Sequence, residues 1–150
     1  MALSVLPHPA LHVPELIGYA ALLTILSSAA AFAGERKGVG WSPGFILVLA
    51  AAIRFLFLFQ DPRLSDDIYR YLLDGMMVLG SASPYAAAPH AVITTDPAVA
   101  AIIPLVNHGH LTTIYPPAAQ FIFATGAFFG GIFGMKLVLV IMDLAACFLI

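Results

Sequence analysis

Charge is what this sequence has least of. Six Lys and Arg and eight Asp and Glu make up 9% of 150 residues, against about a quarter in soluble domains. Too few charges to coat a water-facing surface exclude a soluble globular chain and make lipid the main solvent. A formal net charge of −2 also argues against a nucleic-acid partner, whose phosphates call for a basic surface. The single cysteine, Cys147, lies within an apolar run, so neither a disulfide framework nor a thiolate metal site can be built. No glycine-rich nucleotide loop is present. The segment Met1–Pro14 has no Lys or Arg and so lacks the basic start of a signal peptide, which leaves the first apolar run in the mature chain.

What the sequence has in quantity is apolar length: 61% of residues, in four runs. Leu16 to Ala33 is the first expected span, bounded by Glu15 and by Glu35-Arg36-Lys37. Ser42 to Phe59 is the second, with Trp41 as an interfacial aromatic, Pro43 at a first-turn position and Arg54 as the one charge inside. Ala118 to Phe133 is the third, opened by Pro116-Pro117, and Met135 to Ile150 the fourth. Its sixteen residues reach about 24 Å, short of the roughly 30 Å hydrocarbon core, so the run reads as cut. The expectation is a single all-α membrane domain over 1–150, with about four transmembrane helices and a long external loop over 60–117.

Orientation follows from the basic residues. Arg36 and Lys37 lie between the first two runs and Lys136 between the last two. Short cytoplasmic links are enriched in Lys and Arg, so both links are expected inside, with the N-terminus and the loop outside the cytoplasmic membrane, in the periplasm or extracellular space.

A loop of nearly sixty residues is too long to be an idle connection. Ser65, then Asp66 and Asp67, reads as a helix start, a capping hydroxyl followed by acids that the helix dipole favours. At 100° per residue Asp66, Asp67, Arg70 and Asp74 share about a third of the circumference, opposite Ile68, Leu72, Met76 and Leu79. This predicts an amphipathic helix on the membrane surface. Its polar stripe fits a solvated face with pairs at four-residue spacing, or a catalytic or metal-binding pair of carboxylates with Arg70 orienting one of them. Asp96-Pro97 reads as cap and first residue of a second surface helix reaching about Val106, interrupted at Pro104. His108 and His110 fit hydrogen-bonded turn residues or, with Asp66 or Asp67, a metal site.

Several ordered blocks together look like one family. They are Arg54-Phe-Leu-Phe-Leu-Phe, Leu64-Ser65-Asp66-Asp67-Ile68-Tyr69-Arg70-Tyr71, Asp74-Gly75, Ser83-Pro84-Tyr85 with Ala88-Pro89, Asn107-His108 and Thr113-Ile114-Tyr115-Pro116-Pro117. Across roughly Arg54 to Gln120 the chain resembles the start of the bacterial GT-C integral membrane glycosyltransferases, particularly the mannosyltransferases that use polyprenyl-phosphate-mannose. Leu73 and Gly109-His110 depart from that pattern. The resemblance implies an N-terminal portion of a larger enzyme, inactive alone, with a lipid-linked sugar donor and an acceptor on the outer membrane face. It places the catalytic base at Asp67 or its neighbour Asp66, and donor or acceptor contacts at Arg70, Asp74, His108 and Tyr115. No cofactor is required by the sequence, and a divalent metal is compatible with it. The other reading is a non-catalytic membrane subunit or transporter fragment.

Within the spans, Arg54 fits either a ligand for the donor phosphate or an anchor at the outer surface, and Asp143 could pair with it. Gly126, Gly130 and Gly134 recur every four residues, a stripe suited to docking a partner helix.

Overall fold

The computed structural model describes residues 13–38, 40, 42–62 and 65–149. Residues 1–12, most of the segment behind the signal-peptide argument, and Trp41 and Leu64 lie outside them. Six α-helices and no strand are formed among the described residues: α1 (Val13–Lys37), α2 (Pro43–Leu58), α3 (Asp67–Leu79), α4 (Pro97–Ile102), α5 (Pro117–Phe128) and α6 (Gly131–Leu149). Short 3-10 turns cover Pro89–Ala91 and Ile103–Leu105. The chain divides into two compact units, Met1–Val48 and Leu49–Ile150.

In the first unit α1 carries large apolar side chains outward along its length, from Ile17 through Leu22, Leu23, Ile25 and Leu26 to Phe32. A helix that is apolar all round is a helix for a low-dielectric surrounding. Among the described residues two helices are long and apolar enough to cross a membrane, over Ile17–Lys37 and Gly131–Leu149. The second and third expected spans fall short. α2 has 16 residues and α5 has 12, about 24 and 18 Å at 1.5 Å per residue.

The expected third span is broken by a turn at Phe129-Gly130. Gly130 and Gly131 take φ of +101° and +57°, left-handed backbone that glycine adopts without the clash a Cβ would bring. α6 therefore starts at Gly131, four residues before the expected fourth span, and Lys136 lies inside it instead of in a link.

The second unit is built around α3. On one side Leu73 and Met77 pack with Val99 and Val106 of the α4 segment. On the other, Leu72 packs with Phe123 of α5 and Met135 of α6. The expected surface helix is thus the core element. The pattern missed this because Leu73 and Met77 lie beside the polar stripe, not opposite it, and apolar residues from a distant part of the loop cover them. Gly75 permits the closest approach: a Cβ there would stand 2.2 Å from the Phe123 carbonyl oxygen. Asp96 caps α4 by accepting from the Ala98 amide at 2.8 Å, with Pro97 as first residue, and the helix tightens to a 3-10 turn around Pro104.

Residues 49–58 of α2 meet α6 through side chains. Arg54 pairs with Asp143 through its Nε, and Phe59, just past α2, contacts Phe133 at 5.6 Å between ring centroids. Lys136 Nζ donates to the carbonyls of Phe57 and, at 2.6 Å, Gln60. It supplies a cation and donors where the last carbonyls of α2 have no helical partner. The end of α2 and the start of α6 therefore lie together, and Lys136 belongs with the loop end of α2. Lys136, expected in a link on the side opposite the loop, is thus found in contact with the loop end of α2.

Candidate functional site

The first turn of α3 brings Asp66 and Asp67 to the rim of the second unit. Ser65 Oγ accepts from the Asp67 amide at 3.2 Å, so the hydroxyl expected as a cap is used, one residue ahead of the N-cap Asp66. Asp66 is exposed and Asp67 half-buried. From the turn at 107–110 the Asn107 amide reaches both: its Nδ2 donates to Asp66 Oδ1 at 2.8 Å and to Asp67 Oδ1 at 3.1 Å. One NH₂ group carries two protons, so each carboxylate receives one, and two adjacent like charges are held by a neutral donor. Asp66 and Asp67 each keep a second carboxylate oxygen.

The turn that delivers Asn107 is itself fixed. His108 takes φ +49°, and its carbonyl accepts from the Leu111 amide at 2.9 Å. Gly109 sits against the ring of His90, where a Cβ would fall 2.2 Å from Nε2, and its carbonyl accepts from the His90 amide at 2.9 Å. His108 and His110 are exposed, with ring centroids 6.2 Å apart. Among the described residues no three His, Cys, Asp or Glu side chains gather as metal ligands.

The other half of the polar stripe turns inward. Arg70 and Asp74 are 7% and 2% exposed, so the solvated-face reading does not hold for them. Arg70 Nε stands 3.3 Å from Asp74 Oδ1, the four-residue pair expected from spacing, while Nη2 donates to the Leu111 carbonyl at 2.8 Å. Asp74 Oδ2 accepts from Gln120 Nε2 at 3.1 Å, and the same nitrogen lies 3.3 Å from Thr113 Oγ1. A buried charge needs such company, since its desolvation is otherwise uncompensated. Arg70 and Asp74 are therefore held within the α3–α5 contact, which does not suit them as direct substrate ligands.

Tyr115 closes the group. Its ring meets Tyr71 and Phe123 edge-on, both at 5.3 Å, and Tyr71 stacks on Phe123 at 4.6 Å. Tyr85 Oη donates to the Tyr115 carbonyl at 2.6 Å. Burial, then a hydrogen bond with the Tyr71 side chain and the negative charge of Asp67, push the Tyr115 phenol up to about 12. It stays protonated across the physiological range, able to donate a hydrogen bond but not to act as a base.

Arg54 is far along α2 from this group in sequence. Its Nε is taken by Asp143 and its Nη1 by the Ala50 carbonyl at 3.2 Å, so the pairing with Asp143 is formed and two of its three nitrogens are engaged. The glycine stripe is divided: Gly130 lies in the turn, and Gly126 and Gly134 face the α5–α6 contact, where a Cβ on Gly134 would fall 2.5 Å from the Gly126 carbonyl oxygen. Those two serve packing within the chain.

Gln120 and Thr113 were not singled out from sequence. A signal existed for Gln120, the one amide in an otherwise apolar run, since a polar side chain there faces inward to a partner. Thr113 gave none. Comparison with protein-family models, with characterised proteins and with solved structures finds no match to this chain, so the reading of its function rests on its own residues and their arrangement.

Proposed function

We propose that the chain is the portion of a GT-C-like membrane glycosyltransferase that carries the first external loop, with Asp67 as catalytic base and Asp66 beside it. The observation that supports this is convergence. The Ser65–Tyr71, Asn107-His108 and Thr113–Pro117 blocks, distant in sequence, meet at the start of α3, where Asn107 bridges the two acids and Tyr115 contacts Tyr71. Asp67 Oδ1 is held by Asn107, and Asp67 takes the proton of an acceptor hydroxyl as that oxygen bonds the anomeric carbon of a mannose-like hexose. The carbon–oxygen bond to the polyprenyl phosphate breaks, and the phosphate leaves with the electron pair. A carboxylate so placed contributes roughly 10²–10⁴-fold.

In this reading the membrane is the cytoplasmic membrane, with Arg36 and Lys37 inside by the distribution of basic residues. α2 then ends outside. Lys136 binds that end, so α6 starts outside and returns inward, while α3 to α5 form a layer on the outer face. Here α2, too short as a helix alone, crosses with its flanking residues, the 18 from Ser42 to Phe59 reaching about 27 Å, so that three crossings, α1, α2 and α6, replace the four expected.

The test is sugar transfer from a polyprenyl-phosphate-mannose donor by the complete protein in membranes. Asp67→Asn is expected to lose transfer by at least 10²-fold while inserting normally. Full transfer by the inserted variant would remove Asp67 from the chemistry, and no transfer by the wild-type protein would favour a non-catalytic membrane subunit.

A further inference from the structure

We infer that the outward face of α5 is a lipid contact: the helix lies along the bilayer plane, between α3 and the acyl chains of one leaflet, and does not cross. At 100° per residue Pro117, Phe121, Thr125 and Phe128 fall within about 80° of one another. The rest of the helix is taken up inside the chain, Gln120 by Asp74, Phe123 by Leu72 and Met135, and Gly126 by Met135. Phe121 and Phe128 are each 73% exposed, and Phe129, in the turn that follows, 59%. α5 is thus apolar on both sides, and α3 and α6 cover only one of them.

Three features commit the other side to lipid. The first is charge: no Lys, Arg, Asp or Glu stands between Asp96 and Lys136, so the face offers neither water nor a protein partner an ion to hold. The second is the one hydroxyl on the stripe. Thr125 Oγ1 donates to the Phe121 carbonyl at 2.8 Å, the closure that Thr24 and Ser27 make on α1 with the carbonyls of Ala20 and Thr24 at 2.8 and 3.1 Å. α1 is one of the two helices fit to cross a membrane, and a hydroxyl folded back onto its own helix is how such a side chain meets hydrocarbon. The third is the backbone at both ends. Pro116 and Pro117 bring no amide N–H to the helix start, and the Ala119 amide donates to the Pro116 carbonyl at 2.9 Å. At the far end the amides of Phe129 and Gly130 donate to the carbonyls of Thr125 and Ala127, both at 3.2 Å, and that of Gly134 to Gly130 at 3.0 Å. Polar backbone near hydrocarbon has to be met from within the protein. The turn leads directly into α6, the other helix fit to cross, whose Phe133 meets Phe59 at the end of α2, so the stripe continues a surface already given to lipid. With 12 residues, about 18 Å, α5 is too short to cross the roughly 30 Å core but long enough to lie in one leaflet, as surface helices do.

This rests on the membrane location of the chain and not on sugar transfer, and it holds for either leaflet. The experiment uses the full chain with Cys147→Ser, in vesicles of phosphatidylethanolamine and phosphatidylglycerol that contain a nitroxide-labelled phosphatidylcholine. The nitroxide sits either near the headgroup or near the chain end. Phe121→Cys, Thr125→Cys and Phe128→Cys each carry a bimane label, Ile141→Cys in α6 marks the membrane interior, and Asp66→Cys marks the aqueous side. Helicity shows the variants folded. The three α5 labels are expected at one depth, about 5–10 Å inside the headgroup boundary, quenched more by the shallow nitroxide than by the deep one and out of reach of aqueous iodide. A crossing helix separates the labels at 121 and 128 by about 10 Å in depth, the rise of about seven residues, and that result overturns the inference. Iodide quenching as strong as at Asp66→Cys overturns it in favour of a water-facing surface, and shielding from both lipid and iodide in favour of a second copy or another protein segment. Adding Asp67→Asn leaves the depth unchanged, so a failure of the transferase reading does not move this result.

Discussion

Asn107 and Gln120 do the same work at two depths: each turns an amide NH₂ toward carboxylate oxygen. At the rim Asn107 spans Asp66 and Asp67; inside, Gln120 steadies Asp74, whose other oxygen pairs with Arg70. The difference in burial sets the difference in consequence. Asp66 and Asp67 reach solvent, so losing one costs little folding energy, and their substitution reads on function. Asp74 is 2% exposed and is the counter-charge of a buried guanidinium. Asp74→Ala leaves Arg70 without it and is expected to destabilise the second unit by about 3–5 kcal/mol. Asp74→Asn, which keeps an oxygen for Gln120 but loses the charge, should fall between Ala and wild type. Reversible unfolding in mixed micelles followed by helicity checks the order. If Asp74→Ala unfolds like the wild-type chain, the pair is idle and the inward half of the stripe has been misread.

At the scale of the element, α3 owes its place to Gly75. Helices approach this closely only where a side chain is missing, and here the obstacle to one is backbone: the Phe123 carbonyl and the Ala124 nitrogen, 2.2 to 2.9 Å from a built Cβ. Backbone in a helix cannot swing aside as a side-chain tip can. Gly75→Ala gains about 1 kcal/mol of helix propensity, but overpacking costs about 1–3 kcal/mol or more, and with two helix backbones in the way the clash wins. A net loss of stability is expected, whereas Gly44→Ala, with nothing within 4 Å, should be neutral or better. Equal stability of the two variants in the same micelle titration would show that α3 and α5 part easily. Much of this was legible in the sequence as local chemistry: the Ser65 hydroxyl at the start of α3, Asp96-Pro97 opening α4, Pro104 loosening its end and the Arg70–Asp74 pair all act where short-range rules put them. What could not be read was which apolar residues meet. Leu73 and Met77 find Val99 and Val106 across some twenty-five residues, and no helical period carries that information. The acids of the candidate site were visible as a helix start, but Asn107 as their bridge was not, because it arrives from a turn forty residues away.

For the whole molecule the question is where the chain crosses the bilayer, and Lys136 decides between two accounts. Counting apolar runs gives four crossings and puts Lys136 in the cytosol with Arg36 and Lys37, because the residues from Ala118 to Phe133 are apolar enough to look like a span. The count fails where hydropathy and geometry part. The Gly130-Gly131 turn leaves α5 with 12 residues, about 18 Å, well under the roughly 30 Å of a bilayer core. α5 spends much of its apolar surface on α3, as Phe123 against Leu72 illustrates. A lysine beside helix-end carbonyls is bound there by donor chemistry, which competes with the rule that basic residues stay inside. The expected result is therefore that Lys136→Cys, in a chain whose native Cys147 is replaced by Ser, is labelled from the outer side of intact cells by a membrane-impermeant maleimide. A cysteine at Lys37 should be labelled only after permeabilisation. Labelling of both from the same side would restore four crossings, place the start of α6 across the bilayer from the loop, and remove the outer-face layer on which the transferase reading stands.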